Sequence, residues 1–181
     1  MATVLVPLAQ GCEELEAVTL IDLFRRAGVT VTVAGLEAGP VTASRGVVLL
    51  PETTLEAVLD QDFDLVVLPG GLGGAQRLEA DQRIAALLRR MTEQGRYVAA
   101  ICAAPKVLVS AGLVSGREVT AYPGVLDGQP DIKLSSAAVV RDGTFITSRG
   151  PGTAMDFALS LIEILCGRAK RDEVESALQR S

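Results

Sequence analysis

Tyr97-Val98-Ala99-Ala100-Ile101 is an unbroken apolar run that stops at Cys102-Ala103-Ala104-Pro105-Lys106, where a helical pattern begins. A short, wholly apolar stretch reads as a strand covered on both faces. The small residues and proline after it read as a tight turn into a helix. The same alternation runs along the chain. Strands are expected at 3–8, 30–34, 47–50, 65–68, 97–101, 118–121, 137–140 and 145–147, and helices at 13–27, 55–59, 81–94, 104–111, 152–165 and 171–178. The longer helical stretches carry an apolar stripe with a period of about 3.6 residues. Strands alternating with helices are the mark of β-α-β units around a parallel sheet. The expected fold is therefore α/β, a flavodoxin-like three-layer sandwich with a mostly parallel sheet. A small antiparallel hairpin annex is expected to turn through Asp142-Gly143. The segment 122–136, rich in Pro, Gly and Asp, is expected to be a surface loop beside the site.

With 181 residues and 49% hydrophobic composition, the chain is long enough to bury one substantial core and short for two, so one domain over residues 1–181 is expected. A net charge of −5 and only 3% aromatic residues exclude the basic, stacking face that nucleic acid requires. No apolar run approaches the roughly 18 residues of a membrane span. Cys12, Cys102 and Cys166 are widely spaced and odd in number, without a Cys-x-x-Cys pair. The opening residues lack the pattern of a secretory leader. A reduced, cytoplasmic setting is expected.

The chain contains no histidine, which removes every mechanism that pairs Ser or Cys with an imidazole. Chemistry at Cys102 must then use a carboxylate and backbone donors. Ligands of open α/β sheets collect beyond the carboxyl ends of the strands, which singles out residues 9–16, 69–75, 102–105 and 148–153. Cys102 stands there at a nucleophile-elbow position, although without the Gly-x-Cys-x-Gly spelling. Helix amides next to it are expected to favour thiolate. Cys12 lies near the same crevice at a helix entry; Cys166 ends a helix and reads as structural.

Glu13-Glu14-Leu15-Glu16 opens the first helix. Glu14 reads as an ordinary acidic first turn. Glu16 shares the apolar row of Leu20, Leu23, Phe24 and Ala27, so its carboxyl is expected to face inward and to have a raised pKa. Glu13 shares that row by an i+3 step, and periodicity favours Glu16 without excluding it. Pro69-Gly70-Gly71-Leu72-Gly73-Gly74 matches no nucleotide-binding fingerprint. It reads either as a flexible turn or as exposed amides for an oxyanion. Ser148-Arg149-Gly150-Pro151 opens the helix expected at 152–165 and reads either as a plain helix start or as amides presented to an anion.

Taken in order, four motifs resemble those of the ThiJ/PfpI superfamily over nearly the whole length: Glu13-Glu14-Leu15-Glu16, Leu68-Pro69-Gly70-Gly71, Ala99-Ala100-Ile101-Cys102-Ala103 and Thr147-Ser148-Arg149-Gly150-Pro151-Gly152-Thr153. The likeness is greatest to the branch of YajL-like and Parkinson-disease-protein deglycases. The resemblance implies that Cys102 is the reactive cysteine and Glu16 the acid bonded to it, with Glu13 reduced to capping. It implies an oxyanion pocket at Gly71 and Ala103, with Gly70 beside them and Ser148, Gly150 and Pro151 as the far wall. It implies a homodimer in which Arg26 and Arg45 lie close to the partner's pocket. Tyr122 stands where the Parkinson-disease branch has a histidine. Ala103 replaces the histidine of the protease branch, which argues against peptidase activity. The implied activity is a cysteine-dependent glyoxalase or deglycase. It would act on 1,2-dicarbonyls or their early adducts without cofactor or metal, and without a nucleic-acid or membrane partner. The alternative is a redox-sensing stress-response protein or chaperone that uses oxidation of Cys102.

Overall fold

The computed structural model describes residues 1–180. Five parallel strands form its centre: β1 (Thr3–Leu8), β2 (Thr30–Gly35), β6 (Leu65–Leu68), β7 (Tyr97–Ile101) and β11 (Phe145–Ser148). The two-residue β5 (Thr53–Thr54) closes one edge, and β10 (Val139–Asp142), the single antiparallel strand, closes the other. The seven-stranded order is β10-β11-β7-β6-β1-β2-β5. Counting the five central strands in chain order, this is the 2-1-3-4-5 arrangement of doubly wound sheets. Chain connections leave in opposite directions at the β1/β6 boundary, and a crevice opens there at the strand ends.

Alternation along each strand divides the core in two. Val4, Val6 and Leu8 point to one face with Leu65, Val67, Ala99 and Ile101, and pack with Leu20, Leu23 and Phe24 of α1 (Glu14–Arg26) and Phe157, Leu161 and Ile162 of α5 (Ala154–Cys166). Leu5, Val66, Leu68, Val98 and Ala100 point to the other, toward Ile84, Leu88 and Met91 of α3 (Gln82–Glu93) and Val107 and Leu108 of α4 (Pro105–Ser110). The final helix, α6 (Arg168–Ala177), packs Val174 onto the first face and starts earlier than its polar sequence suggests. Among the described residues no helix is long and apolar enough to cross a membrane.

Several sequence expectations are corrected. Residues 47–50 do not enter the main sheet; β4 (Val48–Leu49) pairs antiparallel with β3 (Val41–Thr42) in a small separate hairpin. Residues 55–59 form one 3₁₀ turn, Glu56–Val58. Within 118–121 only β8 (Glu118–Val119) is a strand, paired with β9 (Lys133–Leu134) inside the segment expected to be loop. The hairpin turn falls one residue later than expected, because Asp142 pairs with Phe145 and leaves Gly143-Thr144 as the turn; the hairpin is thereby the edge of the main sheet. Cys166 ends α5, as expected, and is exposed.

The unforeseen helix is α2 (Leu72–Ala80), which begins inside the glycine-rich stretch. Glycine disfavours helix by about 1 kcal/mol per residue, yet a Cβ on Gly74 would stand 2.7 Å from Cys12 Cα. Close approach of α2 to the β1–α1 connection requires glycine there, and burial of Ala75 and Leu78 supplies the stabilisation.

Candidate active site

Cys102 follows the last residue of β7 with φ 63°, a left-handed conformation shared among non-glycine described residues only with Gln179. A side chain makes this backbone costly by about 1–2 kcal/mol, so other contacts must hold it. The Cys102 amide donates to Ser148 O at 3.0 Å, and its carbonyl accepts from Tyr122 N at 2.9 Å. The turn is thus pinned by β11 on one side and by the segment after β8 on the other. Pro105 then starts α4. This is the strained strand-to-helix elbow expected from the sequence.

Glu16 lies on the inward row of α1 and is 0% exposed. Its Oε2 accepts from Gly70 N at 2.7 Å. Its Oε1 is buried without a partner that meets hydrogen-bond geometry, while the Cys102 thiol lies close enough for each group to bear on the other's titration. Gly70 is the seam between them: a Cβ there would stand 2.7 Å from both Cys102 Cβ and Glu16 Oε2. Only a residue without a side chain lets sulfur and carboxyl flank that backbone.

Burial pushes the Glu16 carboxyl up to about 7, against the hydrogen bonds from Gly70 and Cys102. Burial, then the Glu16 charge, pushes the Cys102 thiol up to about 12, against the amides of Gly71 and Ala103. This corrects the expectation of a thiolate stabilised by helix amides. The Cys102 amide is already committed to Ser148, and the nearest charge is negative rather than positive. Two acids in contact titrate as a pair, and once the first proton has left, the charge it leaves behind opposes loss of the second.

A cavity of about 530 Å³ opens over Cys102. Of the residues expected at the site, Cys102, Gly71, Ala103, Tyr122, Pro151 and Arg45 line it. Gly70 lies beneath, between sulfur and acid. Gly150 backs the Tyr122 ring, 3.3 Å from an added Cβ to Cδ2. Ser148 turns its hydroxyl away to Ala138 O at 2.8 Å and Thr153 Oγ1 at 2.7 Å, and serves the site through its carbonyl. Arg26 does not line this cavity; it pairs with Asp22 at 2.7 Å on an exposed face of α1. A slightly larger hollow, about 590 Å³, lies between the β10–β11 edge and α5 but contains no thiol.

Gly11, Leu72 and Gly73, which lie in the strand-end segments, and Val125, in the loop expected beside the site, also line the cavity, together with the unanticipated Ser44. The strand-end rule points at Gly11, whereas Ser44 arrives on a hairpin with no sequence signal of its own. Glu13 lines the cavity too, and it corrects the capping reading, because its side chain caps nothing and instead accepts from Ser44 Oγ at 2.5 Å. Glu14 is likewise more than an acidic first turn. Only 8% exposed, it accepts from Arg45 N at 2.8 Å, Ser44 Oγ at 3.0 Å and Val47 N at 3.4 Å. Burial raises its pKa, but these hydrogen bonds and that of its own amide outweigh burial and hold the carboxyl below its ordinary value. Cys12 is 1% exposed, and burial pushes its thiol up to about 11. Among the described residues no group of three or more His, Cys, Asp or Glu is placed to hold a metal ion.

The fold recurs in known proteins. Protein dj-1beta of Drosophila melanogaster is 46% identical over 180 residues, covering 96% of this chain and 95% of the relative. The crystal structure of Drosophila DJ-1beta superposes with a TM-score of 0.96 at 45% identity, covering 99% of this chain and 98% of that one. The structure titled Toxoplasma gondii DJ-1, oxidized, also reaches 0.96, at 37% identity with 100% of both chains covered. The glutathione-independent glyoxalase DJR-1.2 of Caenorhabditis elegans is 35% identical over 175 residues, 96% of this chain and 92% of the relative. The model of the DJ-1/PfpI family matches residues 2–164. On sequence and fold together, this chain belongs to the DJ-1/PfpI family.

Proposed function

We propose that the protein is a cysteine-dependent, cofactor-independent glyoxalase or deglycase. Its substrates are reactive 1,2-dicarbonyls such as methylglyoxal and glyoxal, or their early adducts, and its products are 2-hydroxy acids. Membership of a family that includes a glyoxalase supports enzymatic activity in the broad sense. A glyoxalase that needs no glutathione must supply its own thiol, and Cys102 is the cysteine in the cavity. The observation that carries the reading is the pairing of that strained thiol with a fully buried Glu16 across Gly70.

The reactive form of the pair holds one proton, places it on Glu16 and leaves sulfur as thiolate. The thiolate adds to the aldehyde carbon, and the new oxyanion meets the amides of Gly71 and Ala103. Glu16 gives its proton to that oxygen, forming a hemithioacetal. As a carboxylate it then removes the hydrogen from the same carbon, giving an enediolate whose hydroxyl proton passes from the first oxygen to the second, and returns the carbon hydrogen to the adjacent carbon. The hemithioacetal thereby becomes a 2-hydroxyacyl thioester, with no change in atom count. Water cleaves the thioester, releasing the 2-hydroxy acid and regenerating the thiol.

Cys102→Ser and Glu16→Gln are each expected to lower methylglyoxal turnover by about 1000-fold or more with unchanged circular dichroism. Turnover retained by either folded variant would remove the proposal.

A further inference from the structure

The glyoxalase reading leaves one step without a catalyst, since isomerisation and hydrolysis make opposite demands on a base. Isomerisation needs a base shielded from water, and Glu16 is 0% exposed with one oxygen bound to Gly70 N. Hydrolysis needs a base on the side from which water arrives, and that side is the cavity. The only carboxylate lining the cavity among the described residues is Glu13. Arg45 and Tyr122 bring a cation and a phenol, neither of which takes a proton from water readily.

Glu13 is also held for the task. Its amide donates to Gly70 O at 2.9 Å, and its backbone packs against the oxyanion loop so closely that a Cβ on Gly71 would stand 2.7 Å from Glu13 N. Its Oε2 accepts from Ser44 Oγ at 2.5 Å. Ser44 in turn sits on the β3–β4 hairpin, which Glu14 fastens through the amides of Arg45 and Val47. Resting on the glyoxalase reading, we propose that Glu13 is the base that activates water for cleavage of the acyl thioester, acting from the solvent side of Cys102 while Glu16 acts from the buried side.

In this step the water oxygen bonds to the acyl carbon as one of its hydrogens passes to Glu13. The tetrahedral oxyanion faces Gly71 and Ala103, then collapses as the carbon–sulfur bond breaks and sulfur leaves with the electron pair. The second water hydrogen stays on the new carboxyl group, which ionises. Of the two protons, one returns to the Cys102–Glu16 pair and one passes to solvent. Nothing is oxidised or reduced, and water is the only co-reactant.

Rapid-quench kinetics with methylglyoxal on the whole chain test the assignment. Glu13→Gln keeps an acceptor for Ser44 but removes the base. It is expected to consume about one equivalent in a burst near the wild-type rate and then to turn over about 100-fold more slowly. Quenched protein, freed of substrate, should carry an adduct on Cys102 that neutral hydroxylamine releases as a hydroxamate, as a thioester requires. Ser44→Ala should shift the same steady-state rate in the same direction by less. An unchanged steady-state rate in Glu13→Gln would overturn the assignment, as would equal loss of burst and steady state with no thioester trapped. Wild-type protein that forms no 2-hydroxy acid at all would instead overturn the glyoxalase reading on which it rests.

Discussion

Glu14 and Glu16 stand two residues apart on α1, both buried, and they meet opposite fates. Glu14 collects two backbone amides from the hairpin, shares the Ser44 hydroxyl with Glu13, and is held charged. Glu16 has one amide and an orphan oxygen, and burial pushes it up toward neutrality. Burial is common to both; the supply of donors decides the protonation state. One acid anchors structure because its charge is satisfied. The other is available to chemistry because its charge is not.

The most severe way to break this contrast is Gly70→Ala. A methyl group there enters the space held by Cys102 Cβ and Glu16 Oε2, forcing sulfur and acid apart. Turnover is expected to fall by about 100-fold, while calorimetry shows a folded protein; wild-type turnover would show that the close approach is dispensable.

Next in size is the pH dependence of stability. The Glu16 pKa is raised from 4.5 to about 7 on folding, so folding takes up a proton in that window. Stability owed to neutral Glu16 is full below 4.5 and is lost as pH rises through 7. Relative to wild type, Glu16→Gln should gain up to about 3 kcal/mol above pH 7 and nothing below 4.5. Denaturant titrations across that range check it, and a flat difference would contradict the raised pKa.

The smallest effect has the opposite sign. The Glu14 pKa is lowered on folding, so its contribution is present above 4.5 and is lost as pH falls. Glu14→Gln should cost about 1–2 kcal/mol at neutral pH and progressively less on acidification. A penalty that grew in acid would reverse the assignment of the two glutamates.

The two-glutamate contrast also measures what a sequence discloses. Glu16 was legible because the row it shares with Leu20, Leu23 and Phe24 is periodic, and the same periodicity located most of the sheet and its helices. Cys102 was legible from position, as the residue where an apolar run ends. Glu14 was misread because its partners come from a hairpin of two-residue strands, too short to carry any alternation. Helix α2 was missed because Gly73 and Gly74 speak locally against a helix, while the close approach to Cys12 that requires Gly74 is visible only in three dimensions. The same holds for the cysteine's ionisation. Local reading sees helix amides next to Cys102 and cannot see a carboxyl delivered from another part of the chain. Tyr122 entered through family resemblance rather than pattern, and the structure puts it in the cavity wall.

The backward-wound turn at Cys102 has a developmental meaning. Its amide is claimed by Ser148 and its acid partner sits on α1, so the residues that make this sulfur unusual come from near both ends of the polypeptide. A chain still leaving the ribosome carries an ordinary cysteine there, and the strained, acid-paired thiol is assembled only when the last strand docks.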